Sequence, residues 1–460
     1  MIFDALFGDP DVDAELSDES RVAAMLRVEV ALAKAEAATG VIPERAIDAI
    51  AQCAGVGDYD LDVLAREAVN AGNLAIPLVQ RLTEHVGRID EDAARYVHWG
   101  ATSQDIIDSA MVLQLRDATE IVLRSLARAS DAAEVLARRH GATVMPGRTW
   151  LQHATPVTFA LKAAGWMSSL DRVRALVARA LNDALVLQFG GASGTLAALG
   201  DRGPDVAAML GAALRLAVPE LPWHAHRDRL TSLACALGVA TGTMGKIARD
   251  VALLAQTEVA EAFESAAGGR GGSSTMPQKR NPVSASVVLA ASVRVPGLVA
   301  TMLAAMPQEH ERGLGGWQAE WESLPELVHL AGGAARHTAS MLAALEVDAQ
   351  KMRLDVDMTD GVSLAESISM ALASHVGKAE AHRTIAAASR RALAEHRPLA
   401  DVLASMPEVT KHLSKEEIAR RLSPEQYLGA SEEMVRAALE QRAHEREKTP
   451  ETPDAMRGSA

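Results

Sequence analysis

The chain is poor in aromatic side chains, poor in cysteine and short of positive charge. Phe, Trp and Tyr together make up 3% of its 460 residues. Ala and Leu dominate and strand formers are sparse, which argues against a β-sandwich or barrel and for a mostly helical protein. Two cysteines, Cys53 and Cys235, exclude a disulfide framework and a Cys-rich zinc site. Lys and Arg number 46 against 60 Asp and Glu, a net charge of −14. The basic footprint that nonspecific nucleic-acid binding needs is therefore missing. No uncharged apolar run reaches the roughly 18 residues of a membrane span. The acidic start, MIFDALFGDPDVDAEL, is broken by Gly8 and Pro10 and does not read as a signal peptide. The expectation is a soluble, reduced, cytoplasmic protein with no nucleic-acid or membrane partner.

Long stretches free of helix breakers are abundant. Asp105 to Arg139 holds neither Gly nor Pro, and its apolar residues recur at helical spacing on a broad face. Such a helix is ~50 Å long at 1.5 Å per residue. Further helices are expected over 157–188, with only Gly165 inside, and over 228–263, with Gly238, Gly242 and Gly245. Two more are expected over 282–306, where Pro296 should kink the helix, and over 325–345. Five long helices in sequence form a bundle. Their apolar faces are wider than one bundle needs, so the excess should be buried by self-association. Shorter helices are expected at Ser20–Thr39 and Pro43–Gln52. The predicted class is all-α, with an N-terminal helical domain over 1–104, a central bundle over 105–351 and a C-terminal helical domain over 352–445. The polar, Pro-containing tail, 446–460, is expected to be disordered.

Three segments break the helical pattern, and such segments commonly carry function. The first, His98-Trp-Gly-Ala-Thr-Ser-Gln-Asp105, precedes the longest helix. Thr102 and Ser103 are helix-cap residues, and the same hydroxyls and free amides suit a carboxylate. The second, Gly147-Arg-Thr-Trp-Leu-Gln-His-Ala-Thr-Pro156, concentrates groups that bind or protonate an anion. The third, Gly268 to Pro282, opens with four glycines in five positions. It then carries serines, a threonine, two cations and an amide, with no acid. It reads either as an interhelical linker or as an anion-binding loop in an otherwise acidic chain. It is not a P-loop, because Gly-Lys-Ser/Thr is missing.

GSSTMPQKRNP (Gly272 to Pro282) resembles the signature loop of the fumarase/aspartase superfamily. The first two segments resemble that family's other active-site regions, in the same order. Within the family, GRTWLQHATP, LQFGGASGTLAALG (Leu187 to Gly200), PWHAHRDRL (Pro222 to Leu230), AAMPQEHERGLGGWQAEWE (Ala304 to Glu322) and GNLAIPLV (Gly72 to Val79) look like the bacterial carboxymuconate cycloisomerase branch. The resemblance implies three helical domains and a homotetramer with a central helix bundle. Each active site would take one region from each of three subunits.

The resemblance also implies a chemistry: addition or elimination next to a carboxylate, through an aci-carboxylate that preorganised donors must stabilise. Ser273 matches the family's base, with Lys279 and the loop amides stabilising its alkoxide in a closed site. Lys279 and Asn281 match residues that hold the substrate carboxylate, and Ser274, Met276 and Arg280 complete the loop's contribution. Arg148, Thr149, Trp150 and Gln152 represent the second region, and His98, Thr102 and Ser103 the first. Most family lyases carry His where this chain has Trp150. A cycloisomerase tolerates that loss, because its nucleophile and leaving group is a carboxylate, ionised at neutral pH. His153 is either a carboxylate ligand or relay, or a structural histidine at a helix start. Arg312 either forks a third carboxylate or pairs with Glu309 or Glu322. The expected substrate is a small tricarboxylate, with no metal or cofactor. Two rivals are a lyase acting on adenylosuccinate or another substituted succinate, and a non-enzymatic helical scaffold. Trp150 weighs against the first, and the intact Ser273, Lys279 and Asn281 against the second.

Overall fold

The computed structural model describes residues 3–448 except 273, 274 and 277. Helices dominate it, and its sheets are two-stranded ribbons, as an all-α fold requires. In chain order its main elements are α1 (Asp18–Ala38), α2 (Ser103–Arg139), β1 (Val144–Thr149), β2 (Gln152–Thr158), α3 (Phe159–Ala184), α4 (Asp228–Leu254), β3 (Ala262–Phe263), α5 (Val283–Ala305), α6 (Gly316–Ala343), β4 (Glu346–Val347), α7 (Ala349–Asp357), α8 (Ala365–Val376), α9 (Lys378–Glu395) and α10 (Ser431–Lys448).

The chain folds as two compact units. The first holds the residues up to Ala127, Arg172–Lys246 and Val287–Thr338. The second holds Arg128–Asp171, Ile247–Ser286 and the residues from Ala339 on. In the first unit, α4 and α5 approach closely at two glycines. A Cβ on Gly245 would lie 2.7 Å from Ser292 Cβ, and one on Gly238 would lie 2.9 Å from Val299 Cγ2. Glycines that weaken a helix on propensity are here what lets two helices pack. In the second unit, α8 and α9 pack as a pair over Ile368, Leu372, Ile385 and Leu403. The α10 residue Arg442 bonds Asp131, Glu134 and Asp171.

The five long helices stand where periodicity put them, with shifted ends. The fifth begins at Gly316, and Pro325 sits inside it. Trp317 and Trp321 hold its first turns, stacking edge-on at 4.8 Å, and the Trp317 indole donates to Asp108 at 2.9 Å. The third ends at Leu254, not Phe263. Ala260 turns to φ 55° and Ala262–Phe263 pair with Glu346–Val347 instead. Pro296 lies within α5, which continues through it.

The segment 147–156, expected to be irregular, is the antiparallel β1–β2 hairpin, with Arg148 opposite His153 and Thr149 opposite Gln152. Its two-residue turn is Trp150-Leu151, at φ 53° and 64°. Asn-Gly normally marks this turn, so its signal was absent from the sequence. The last helix runs to Lys448, three residues into the stretch expected as a disordered tail. Residues 449–460 lie outside the described residues.

Candidate active site

In the first unit the site is built around Asp105. The helix start makes it: the Asp105 carboxylate accepts the backbone N–H of Thr102 at 3.1 Å, which places Thr102 at the cap and Ser103 at the first helical position. The buried carboxylate also accepts the N–H of Gly190 (3.0 Å) and of Gly191 (2.9 Å), and it bonds His224 Nε2 (2.8 Å). Two loops far apart in sequence are thereby tied to the start of α2. Arg312 joins the same place, because its guanidinium donates to the Ala192 carbonyl at 3.0 Å. Among the described residues Arg312 pairs with neither Glu309 nor Glu322; Glu309 accepts from the Leu314 N–H instead. His98 stands before the helix at φ 58°, its Nδ1 2.7 Å from Glu29 Oε1.

One turn further along α2 lies a second buried cluster. Arg227 bonds Asp108 at 2.6 Å and Glu320 at 2.5 Å, and it lies 4.7 Å from the Trp223 ring centroid. Gln104 donates to Asp108 and to the His224 carbonyl, and Gln308 donates to Glu320. Burial pushes Glu320 above the usual carboxylate range and Asp108 adds to this, against the pull of Arg227. One fully buried cation thus ties α2 and α6 together.

In the second unit the hairpin carries Arg148, Thr149, Trp150, Gln152 and His153. Arg148 forks Glu261 with two bonds of 2.8 Å, so its guanidinium already holds a carboxylate within the chain. Burial raises Glu261, and the neighbouring Asp355 raises it further, while Arg148 opposes the shift. Asp355 also pairs with Lys351. The same surroundings act on His153. Burial lowers its pKa, as do the charges of Arg148 and Lys351, with Asp355 opposing. His153 is therefore a neutral imidazole at pH 7. Trp150 and Leu151 form the hairpin tip and are 95% and 76% exposed.

The glycine-rich loop is closed at its neck. The Asn281 N–H donates to the Gly271 carbonyl at 2.9 Å, and a Cβ on Gly271 would lie 2.4 Å from the Asn281 oxygen. Arg280 is held beneath the loop by Glu346 (2.8 Å), the Glu264 carbonyl (2.7 Å) and the Phe263 ring (5.0 Å). Glu264 also caps α5, accepting the N–H groups of Ser284 and Ala285 at 2.9 and 2.8 Å. Lys279 is exposed, and its ammonium has no bonded partner among the described residues; Met276 is also exposed. The expected base, Ser273, and Ser274 lie outside the described residues. Also among the described residues, no three His, Cys, Asp or Glu side chains are grouped to hold a metal ion.

The predicted residues thus form two groups. His98, Thr102, Ser103 and Arg312 gather in the first unit, and the hairpin and loop residues in the second. Sequence reasoning missed Asp105, Glu29 and Glu261, the acids that hold Thr102, His98 and Arg148, and the buried cation Arg227. Only Asp105 left a local signal, as an acid in the first helical turn.

Comparison with known proteins bears on the family. A family model described as Lyase matches residues 10–297, and one described as Adenylosuccinate lyase C-terminus matches residues 361–438. The chain belongs to the fumarase/aspartase lyase family. The chain is 51% identical over 427 residues to a 3-carboxy-cis,cis-muconate cycloisomerase of Bradyrhizobium diazoefficiens, covering 93% of the chain and 95% of the relative. It is 50% identical over 439 residues to one of Pseudomonas aeruginosa, covering 95% and 96%. The crystal structure of 3-carboxy-cis,cis-muconate lactonizing enzyme from Pseudomonas putida superposes on it with a TM-score of 0.91 at 46% identity, over 96% and 99% of the two chains.

Proposed function

We propose that this lyase-family chain is an enzyme that closes 3-carboxy-cis,cis-muconate to its carboxylated γ-lactone in aromatic-compound degradation. The observation that carries this reading is near-complete coverage at 51% identity with the Bradyrhizobium cycloisomerase. Trp150, in the place of a lyase's histidine, agrees with it.

The reaction is an internal addition. A carboxylate oxygen of the substrate attacks the diene, a C–O bond forms, and charge moves onto the carboxylate conjugated with the far double bond. A proton then reaches the carbon beside that carboxylate. Ser273 gives this proton and recovers one from solvent. Lys279 and Asn281 hold the carboxylate on which charge builds, where a cation and an amide stabilise it most. Arg148 already grips Glu261, so its part is to set the hairpin, and the neutral His153 serves as a donor or relay. No cofactor is called for.

We infer further that the active enzyme is a cytoplasmic homotetramer with sites shared among three subunits. Two observations support this. The Trp150-Leu151 tip leaves two large apolar side chains bare. Val293 and Leu303 on α5 are 76% and 50% exposed on a mostly apolar helix whose one charged residue is Arg294.

The test is loss of diene absorbance on mixing purified protein with 3-carboxy-cis,cis-muconate. Fast loss with the parent chain and none with Ser273→Ala supports both substrate and proton donor. Equal rates for the two refute the role of Ser273. No turnover by folded, tetrameric protein refutes the substrate.

A further inference from the structure

Two acids lie inside the first unit on one face of α1. Glu29 and Glu36 are seven residues apart, two helical turns, and are 2% and 0% exposed. Neither pairs with Lys or Arg among the described residues. Both oxygens of Glu36 and Oε2 of Glu29 are buried without a hydrogen-bond partner there. Leaving a carboxyl buried and unbonded costs stability, so packing alone gives no reason for Glu29 to be an acid.

Its one bond supplies the reason. Glu29 Oε1 is 2.7 Å from His98 Nδ1. His98 has a left-handed backbone at φ 58°, rare for a residue other than glycine. With Nδ1 taken, Nε2 is the ring nitrogen left for a ligand, and it has no bonded partner among the described residues. A carboxylate on one ring nitrogen fixes the tautomer and turns the other into the working one.

We propose that Glu29 is a positioning residue that locks His98 with Nδ1–H turned inward and makes its Nε2–H a cationic donor for one carboxylate of the substrate. The proposal rests on the polycarboxylate reading above, and it names the side chain behind the first region's contribution to it.

The groups facing the pair agree. Burial pulls the His98 pKa down, but the charge and hydrogen bond of Glu29, with the charge of Asp105 on α2, raise it overall. Glu36 is pushed up to about 9 by burial and by the charge of Glu29, so it is neutral at pH 7 and adds no second negative charge. Tyr59 also faces Glu29 and stays a neutral phenol, because burial raises it, and its hydroxyl donates to the Cys53 carbonyl. The Glu29 contact thus favours the protonated ring, and a substrate carboxylate meets a donor backed by a fixed acid.

The test uses full-length Glu29→Gln, His98→Asn and the double variant, with Glu36→Gln as control. Steady-state kinetics are measured from pH 6 to 9, and calorimetry follows binding of propane-1,2,3-tricarboxylate. Glu29→Gln should raise KM about tenfold, the worth of one charge-assisted hydrogen bond, with kcat unchanged. The alkaline rise in KM should move to lower pH. The double variant should lose no more than His98→Asn alone, and Glu36→Gln should match the parent at pH 7. An unchanged KM profile in Glu29→Gln, or additive losses in the double variant, overturns the proposal. If Glu29→Gln does not fold, the parent and His98→Asn decide. The parent's KM must rise only above the free-histidine value near 6.5, and that limb must vanish in His98→Asn; its persistence overturns the proposal. A parent that binds the tricarboxylate with this His98-dependent profile yet leaves carboxymuconate unchanged refutes the substrate and upholds the pair.

Discussion

Glu36 shows most simply how one residue's surroundings set its chemistry. It keeps its proton in the folded chain up to about pH 9, whereas an ordinary glutamate releases it near 4.5. Between those values the folded state binds a proton that the unfolded state has lost, so this group lowers stability as pH rises. The slope is about 1.4 kcal/mol per pH unit. Glu36→Gln removes it. Chemical denaturation at pH 5 and pH 8 should therefore show the variant more stable than the parent at pH 8, with the gap nearly closed at pH 5. A gap that does not depend on pH contradicts the assignment. Asp105 marks how far such detail was legible beforehand. Its place in the first turn of a helix, beside Thr102, was readable from the sequence. Its bonds to Gly190 and His224 were not, because they span 85 and 119 positions and no local pattern records them. The same holds for Arg148. The sequence offered its guanidinium to a substrate, and the fold gave it to Glu261, 113 positions away.

At the scale of elements, the β1–β2 hairpin is the most informative. Helices such as α2 and α3 were legible because an apolar face repeating every 3.6 residues is a strong signal over 26 to 37 residues. A hairpin of six- and seven-residue strands depends on its turn residues for recognition, and here the turn is Trp-Leu. Two non-glycine residues in the left-handed region cost about 1–2 kcal/mol each. They persist where something outside the hairpin repays the strain, which is expected of a tip that enters another subunit's site. Replacing Trp150-Leu151 by Asn-Gly should relax the turn. The double variant should resist unfolding by about 1 kcal/mol more than the parent once both are compared as isolated protomers. Its turnover should nevertheless fall at least about tenfold, for the loss of one positioned contact at the reacting centre. A variant that gains stability and keeps full activity would show the tip to be dispensable.

At the scale of the whole molecule, the predicted site residues divide between two units, and the apolar face of α5 is left bare. The proposed tetramer, drawing one region from each of three subunits, would account for both. It also makes a prediction that no single-chain site shares. At substrate levels well below the raised KM of His98→Asn, that protein unfolded and reassembled together with inactive Ser273→Ala should exceed the activity of the His98→Asn protein it contains, because some mixed sites receive both intact side chains. Reassembled mixtures no more active than the His98→Asn protein they contain would place the whole site in one chain. An acidic chain that binds a tricarboxylate must concentrate its cations locally, and the proposed site draws His98 from the first region and Lys279 from the loop for this. The most direct test of the account is one reaction in D2O. The parent protein is mixed with 3-carboxy-cis,cis-muconate and the product is read by proton NMR. The account predicts a γ-lactone carrying a single deuterium on the carbon beside a carboxylate, formed at a rate that Ser273→Ala does not reach. An unchanged diene, or a lactone without deuterium, would contradict it.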